Sequence, residues 1–423
     1  MMNTSRKFPY LLMFPLFALL FFGGAIMVQA ATYYVATTGS DSSPGTQTQP
    51  FQTIKRGISV LRAGDTLFIR GGTYFEGINS NSQTIPTGSS WNDAPIISGY
   101  PGETVILKPS GGTEVINLAH PYIQYVVFNG LVLDAAGLQR SCSAGYACSL
   151  VISGTNGAHH VRFKNIEAKN AAGSGVLTTY GSSAGLTYFE FIGCDIHHNG
   201  VEARDHGYYI GTSGNLVKNC KVHDNAGLGI HIYTGSLSVA ASNNTIDGND
   251  IYRNGTLSGS APGILIDYGS GNRAMNNIVR GNKNGIIVGN PYVSGTSTSG
   301  SQVYNNTIYA NTPGVGINIF TGSSQAVLEN NIVYKNGGTI LNTGSNTTIT
   351  NNLFTDPMFV DEISGNFKLQ SGSPAVDKAL PRTEVRYDFV NTPRPQFVAP
   401  DIGAYEYSGN TTTPSPPRNL SVR

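Results

Sequence analysis

Gly229-Ile-His-Ile232, Gly263-Ile-Leu-Ile266, Gly285-Ile-Ile-Val288 and Gly316-Ile-Asn-Ile319 repeat one phrase: glycine, an aliphatic residue, any residue, an aliphatic residue. Gly207-Tyr-Tyr-Ile210 precedes them in similar form. A second phrase, ending in Asn-Asn or a near equivalent, answers each copy. It reads Lys218-Asn-Cys220, Asp247-Gly-Asn249, Met275-Asn-Asn277, Tyr304-Asn-Asn306, Glu329-Asn-Asn331 and Thr350-Asn-Asn352. Successive glycine phrases lie about 22 or about 31 to 34 residues apart, a period that marks a solenoid. Each unit holds short alternating strands and no helical period. One unit cannot bury its apolar face alone, so neighbouring units must stack. The stretch from about Gly173 to Pro357 therefore predicts an all-β chain wound as a parallel β-helix.

Strand alternation assigns the faces. The aliphatic pairs, such as Ile230 with Ile232 and Ile264 with Ile266, must point inward. One outward column then reads Leu177, Tyr209, His231, Leu265, Ile287, Asn318, and the next reads Thr179, Gly211, Tyr233, Asp267, Gly289, Phe320. Neighbouring coils lie about 4.8 Å apart. Tyr209, His231, Tyr233 and Asp267 are thus expected to form one patch facing a solvent groove. The loop Asn199-Gly-Val-Glu-Ala-Arg-Asp-His206 and the turns at Tyr180, Tyr268 and Arg273 should wall it. The Asn column, Asn219, Asn276, Asn305, Asn330 and Asn351 with Asn249, Asn277, Asn306, Asn331 and Asn352 beside it, reads as structural. Stacked amides bond along a ladder and tolerate turn conformations. His197, His198 and His223 fall near turns and read as solvated.

The chain has 423 residues, with 52 Gly and only 12% charged residues, which suits many tight turns between short strands. Residues 1–30 read as a signal peptide: Arg6 and Lys7, an apolar run from Tyr10 to Met27, then Val28-Gln-Ala30 before cleavage at Ala31. No later stretch is long and apolar enough to span a bilayer as a helix, so no membrane contact is expected once the leader is gone. Without it, 24 basic side chains face 25 acidic ones, which gives no electrostatic reason to expect nucleic acid. Cys142 and Cys148 share a Gly/Ser-rich loop whose spacing suits a disulfide in an exported chain. Cys194 and Cys220 occupy equivalent repeat positions and should be buried neighbours, not metal ligands. A monomer is expected.

Ile54, Ile58 and Leu61 recur at helical spacing, so a short helix should cap the open start of the stack. Around it lie Tyr33-Tyr-Val-Ala36, Gly39-Ser-Asp41, Pro50-Phe51, Thr53-Ile54, Ala63-Gly-Asp65 and Gly71-Gly-Thr-Tyr74. This set resembles the N-terminal signature of secreted right-handed β-helix proteins of the pectate-lyase-like superfamily, which includes chondroitinase B, alginate lyases and pectate lyases. With the coils behind it, the resemblance covers about residues 32 to 370. It implies a right-handed parallel β-helix over residues 31–408 and a carbohydrate partner; it does not fix the reaction. Leu369, Ser373-Pro-Ala-Val-Asp377 and Pro400-Asp-Ile-Gly-Ala-Tyr-Glu406 resemble a terminal segment that closes the last coil in exported bacterial relatives. Residues 409–423 read as a Thr/Pro-rich linker, and Pro417-Arg-Asn-Leu-Ser-Val422 looks like the first strand of a fibronectin type III module.

A lyase acting on a uronate-containing polysaccharide needs a group to neutralise the carboxylate, a base and an acid. Neutral His231 suits the base and Tyr209 or Tyr233 the acid; Arg204 or Arg273 suits the carboxylate. Asp205, His206, Tyr180 and Tyr268 complete the expected substrate contacts. A glycoside hydrolase would instead need a carboxylate pair, and Asp267 with Asp205 is the pair on offer. The calcium-dependent members of the superfamily carry clustered acidic ligands on this face. Asp267 stands alone in its column, so no metal or other cofactor is assigned. The same face also suits a non-catalytic carbohydrate-binding or adhesion role, and an ordinary polar surface is the plainest reading of it.

Overall fold

The computed structural model describes residues 1–2, 30–119, 122–139, 150–153, 157–179, 187–233, 241–290 and 298–409. The expected leader except its ends, Tyr180, Cys142, Cys148 and the tail from residue 410 lie outside the described residues.

Each complete coil contributes one short strand to each of three sheets, and successive coils pair in parallel. The first sheet has 12 strands, from Thr32–Val35 to Thr348–Thr350. The second has 10, from Gly72–Tyr74 to Ile332–Tyr334, and the third has 10, from Ile78–Asn79 to Gly338–Asn342. The single α-helix among the described residues, Ile54–Val60, packs on the first two strands of the first sheet. Thr53 caps it by accepting from the Arg56 amide. Gly57 lets it sit close: a Cβ there would lie 2.7 Å from Val35 and 2.8 Å from Leu67.

The inward aliphatic pairs are where alternation puts them: Ile230, Ile232, Ile264 and Ile266 have no exposed surface. Aromatic residues fill the earlier coils, with Phe128, Phe163 and Phe191 stacked at 5.1 and 5.5 Å. The Asn-Asn phrase is the turn from first to second sheet. Its first residue takes a left-handed backbone, at φ 54° for Asn219 and 55° for Asn276, a conformation asparagine tolerates. Its second residue points inward and bonds along the stack. Asn249 Nδ2 donates to Asn277 Oδ1 at 2.9 Å, Asn277 to Asn306 at 3.0 Å, Asn306 to Asn331 at 2.9 Å, and Asn331 to Asn352 at 2.9 Å. Cys194 and Cys220 head this same ladder, buried and with free thiols; the Cys220 amide donates to Asn249 Oδ1 at 2.8 Å.

Two further ladders escaped the sequence reading. Asn199, Asn225, Asn254, Asn282, Asn311 and Asn336 run along the turn from second to third sheet. Asn215, Asn244 and Asn272 run along the turn back to the first. Apart from Asn244, which follows Asn243, these asparagines stand without the doublet that marks the first ladder.

The C-terminal segment departs from expectation. It lies along the outside of the stack: Asn276 donates to the Tyr387 carbonyl, Asn305 to that of Asp401 and Asn330 to that of Leu380. Its apolar residues Phe359, Phe367, Ile402 and Tyr405 cluster with Ile278 and Ile332. The end of the stack stays open among the described residues: Ile349, in register with buried Leu328, is 40% exposed. The histidines read as solvated are also engaged. His197 stacks on His223 at 5.0 Å, and His223 bonds Asp195 at 3.0 Å and Asp224 at 2.7 Å.

Candidate functional site

The outward column on the third sheet has the expected register: Leu177 pairs Tyr209, Tyr209 pairs His231, His231 pairs Leu265, Leu265 pairs Ile287, and Ile287 pairs Asn318. The face is right, but it is not an open groove. Asp267 is 2% exposed and Tyr209 6%, while the His231 side chain is 12% exposed and Tyr233 is half-buried. The residues of the column bury one another. His206 stacks on Tyr209 at 5.6 Å, and Tyr233 stacks on His231 at 5.1 Å and meets Tyr268 edge-on at 5.2 Å. Leu228, Ala261, Leu265 and Ile287 continue the face as an apolar cluster.

Within this cover runs a hydrogen-bonded chain. The Leu228 amide donates to His206 Nδ1 at 3.0 Å. An amide has only a proton to give, so His206 Nδ1 is an acceptor, and in a neutral ring the proton sits on Nε2. That Nε2 stands 3.2 Å from His231 Nδ1. His231 therefore carries its proton on Nε2, 3.4 Å from Asp267 Oδ2. Asn290 donates to the same Oδ2 at 3.1 Å. Asp267 Oδ1 is buried and has no hydrogen-bond partner.

Burial sets the charge states. It pushes His206 well below the usual histidine range, with adjacent His231 adding to this, and lowers His231 to about 3. Burial raises Asp267 to about 7 against the lowering effect of the Asn290 bond. Both imidazoles are neutral near neutrality, and the carboxyl is balanced between its two states. Both ring nitrogens of His231 are engaged, so the group with a lone pair to spare is Asp267.

The remaining expected site residues divide. His206 sits inside the chain as its proton-ordering member. Only glycine at 227 permits this, because a Cβ there would lie 2.6 Å from His206 Nδ1. The phrase Gly227-Leu-Gly229 was the available sequence signal, but it names no partner. Asp205 is buried and its Oδ2 accepts from the Val201 and Glu202 amides at 2.9 and 2.8 Å, so it holds the loop's turn. Arg204 is exposed on that loop, two residues from His206. Arg273 lies elsewhere: it is on the strand Arg273–Met275 of the first sheet, in register with Gln302. The turn after Tyr268 carries the chain round the corner before residue 273, which removes Arg273 from the patch.

Among the described residues no three His, Cys, Asp or Glu side chains stand together to hold a metal ion. A hard cation such as calcium takes about six to eight oxygen ligands. One carboxylate beside two hydrogen-bonded imidazoles does not suit it.

A family described as the Pel9A-like, right handed beta helix region matches residues 33–352. Protein YwoF of Bacillus subtilis (strain 168) is 26% identical over 378 residues, which span 76% of this chain and 74% of YwoF. Pectate lyase PEL9 of Emericella nidulans is 40% identical over 81 residues, 19% of each chain. The crystal structure of pectate lyase Pel9A superposes with a TM-score of 0.64 at 17% identity, covering 89% of this chain and 96% of that one.

Proposed function

We propose, from the premise that this chain belongs to the Pel9A-like right-handed β-helix family, that it is an exported polysaccharide lyase. Its substrate is a uronate-containing glycan, cleaved by β-elimination at the His206–His231–Asp267 chain. The observation that carries the reading is a buried carboxyl with one oxygen unpartnered, raised to about 7, at the end of an ordered run of imidazoles. A general base works best with a pKa near the operating pH.

In this reading ionised Asp267 takes the proton from the sugar carbon next to the uronate carboxylate. The electron pair left behind forms the double bond to the adjacent ring carbon, and the bond from that carbon to the bridging oxygen breaks. The departing oxygen takes a proton from Tyr233, the more exposed of the two tyrosines on the face. Arg204 meets the substrate carboxylate from the loop. His231 and His206 hold Asp267 in place and supply no proton themselves. Asp205 is committed to backbone amides, which leaves one carboxylate for chemistry and favours elimination over hydrolysis. The cover over Asp267 must open for substrate to enter.

The test is product formation from polygalacturonate, alginate and chondroitin, followed by ultraviolet absorbance of the unsaturated sugar. Wild type should release product from at least one polymer, and Asp267→Asn should release none. Polymer binding without product from any of them would replace this reading with a non-catalytic carbohydrate-binding role. The near-complete burial of Asp267 is the observation that favours that second reading.

A further inference from the structure

The corner that brings the chain from the third sheet back to the first carries a left-handed residue in nine successive coils. Strand register aligns them as Tyr125, His160, Tyr188, Gly214, Asn243, Gly271, Gly300, Gln325 and Asn346. Their φ angles lie between 46° and 76°. Later coils fill the position chiefly with glycine and asparagine, the residues that tolerate this conformation. The first three fill it with rings, and for the two tyrosines among them a left-handed backbone is an outlier. Nothing in the fold of the corner asks for a ring, since the later coils make the same turn without one.

The rings form a column. Tyr125 stacks on His160 at 4.7 Å, and His160 packs on Tyr188 at 4.7 Å. Trp91 braces it edge-on, 5.4 Å from Tyr125. The Arg162 guanidinium lies 3.8 Å over Trp91 and is held by both carboxylate oxygens of Glu190, at 2.6 and 3.1 Å. The column then stops at Gly214, which has no side chain to cover the next face. Tyr188 is accordingly 40% exposed. The result is one rigid, flat aromatic face, open at the next step of the stack and set beside a fixed ion pair.

We propose that this column is a second carbohydrate-binding site, separate from the His231 face, and that Tyr188 takes the flat C–H face of a pyranose ring in a polysaccharide chain. The negative face of an aromatic ring attracts the weakly positive C–H groups of such a sugar face. The hydroxyl rim of the sugar suits the polar surroundings. A protein or lipid partner would call for a broad apolar patch, whereas the open apolar surface here is a single ring face. The site requires a carbohydrate partner but not the catalytic assignment above.

Affinity electrophoresis through gels containing polygalacturonate, alginate or xylan tests it. The informative variant is Tyr188→Asn, which installs a residue type that later coils use in the same conformation, so its Tm should equal or exceed that of wild type. Wild type should be retarded by at least one polymer, and Tyr188→Asn should bind that polymer about ten-fold more weakly. Trp91 is the chain's single tryptophan, and its fluorescence should change with added polymer in wild type but not in the variant. If no polymer retards the protein, or if Tyr188→Asn binds as wild type does, the proposal is overturned. If Tyr188-dependent retardation persists while no polymer is cleaved, the platform stands and only the lyase reading fails.

Discussion

Nε2 of His206 stands 3.2 Å from Nδ1 of His231, and this contact fixes where every proton in the buried chain resides. His206 owes its orientation to the Leu228 amide, and His231 owes its orientation to His206. Asp267 then meets an N–H and not a lone pair. The arrangement leaves the carboxyl as the one member free to exchange a proton with a substrate.

His206→Phe tests this positioning role. The ring remains stacked on Tyr209 but donates nothing to His231. Turnover should fall by about ten- to a hundred-fold, with the acidic limb of the pH–rate profile displaced from its wild-type position. A simple packing defect would lower the amount of folded enzyme and leave the profile where it was. Activity measured across pH on protein matched for circular dichroism separates the two.

The carboxyl of Asp267 makes a pH prediction that needs no substrate. Its pKa rises from 3.8 to about 7 on burial. Between those values the native state binds more protons than the unfolded state, so stability falls as pH rises. The contribution is full below about 3.8 and lost as pH passes through about 7. Asn at this position does not titrate. The Tm of Asp267→Asn relative to wild type should therefore move in the variant's favour between about pH 4 and pH 8, by an amount equivalent to at most a few kcal/mol. A constant Tm difference across that range would show that the carboxyl is not held protonated.

Asn277→Ala removes one rung of the first ladder. Its Nδ2 donates to the Ile246 carbonyl at 2.9 Å, and its Oδ1 accepts from the Asn249 amide at 2.9 Å. Both partners are left unsatisfied inside the stack, at a cost of roughly 2–4 kcal/mol. Asn219→Gly, at a left-handed position on the same kind of turn, should cost less than about 1 kcal/mol because glycine adopts that backbone freely. Urea unfolding of the two variants gives the comparison directly.

Ile232→Asp places a carboxylate where there is no exposed surface. The variant should lose several kcal/mol of stability or fail to fold. His231→Leu, one residue away on the opposite face, should fold. Equal expression and Tm for the two variants would mean that the register of the strand Ile230–Ile232 is wrong.

The sequence by itself determined the solenoid, the sheet face of each strand residue and the helix at its start. Those properties follow from local periods: aliphatic pairs two residues apart must share the interior, and Asn-Asn doublets at one turn of successive coils must stack when coils stack. Ile232 and His231 could be assigned to opposite faces from those patterns alone. What the fold does with the outward face was not local. Burial of Asp267, the proton order through His206 and removal of Arg273 to another sheet depend on how loops of unequal length fold over the coils. Alternation fixes which way a side chain leaves a strand, but only tertiary contact decides whether water or another side chain meets it. The ring column at Tyr125, His160 and Tyr188 was hidden for the same reason. These residues lie 28 to 35 positions apart, and only the coil register places them on one corner, within stacking distance.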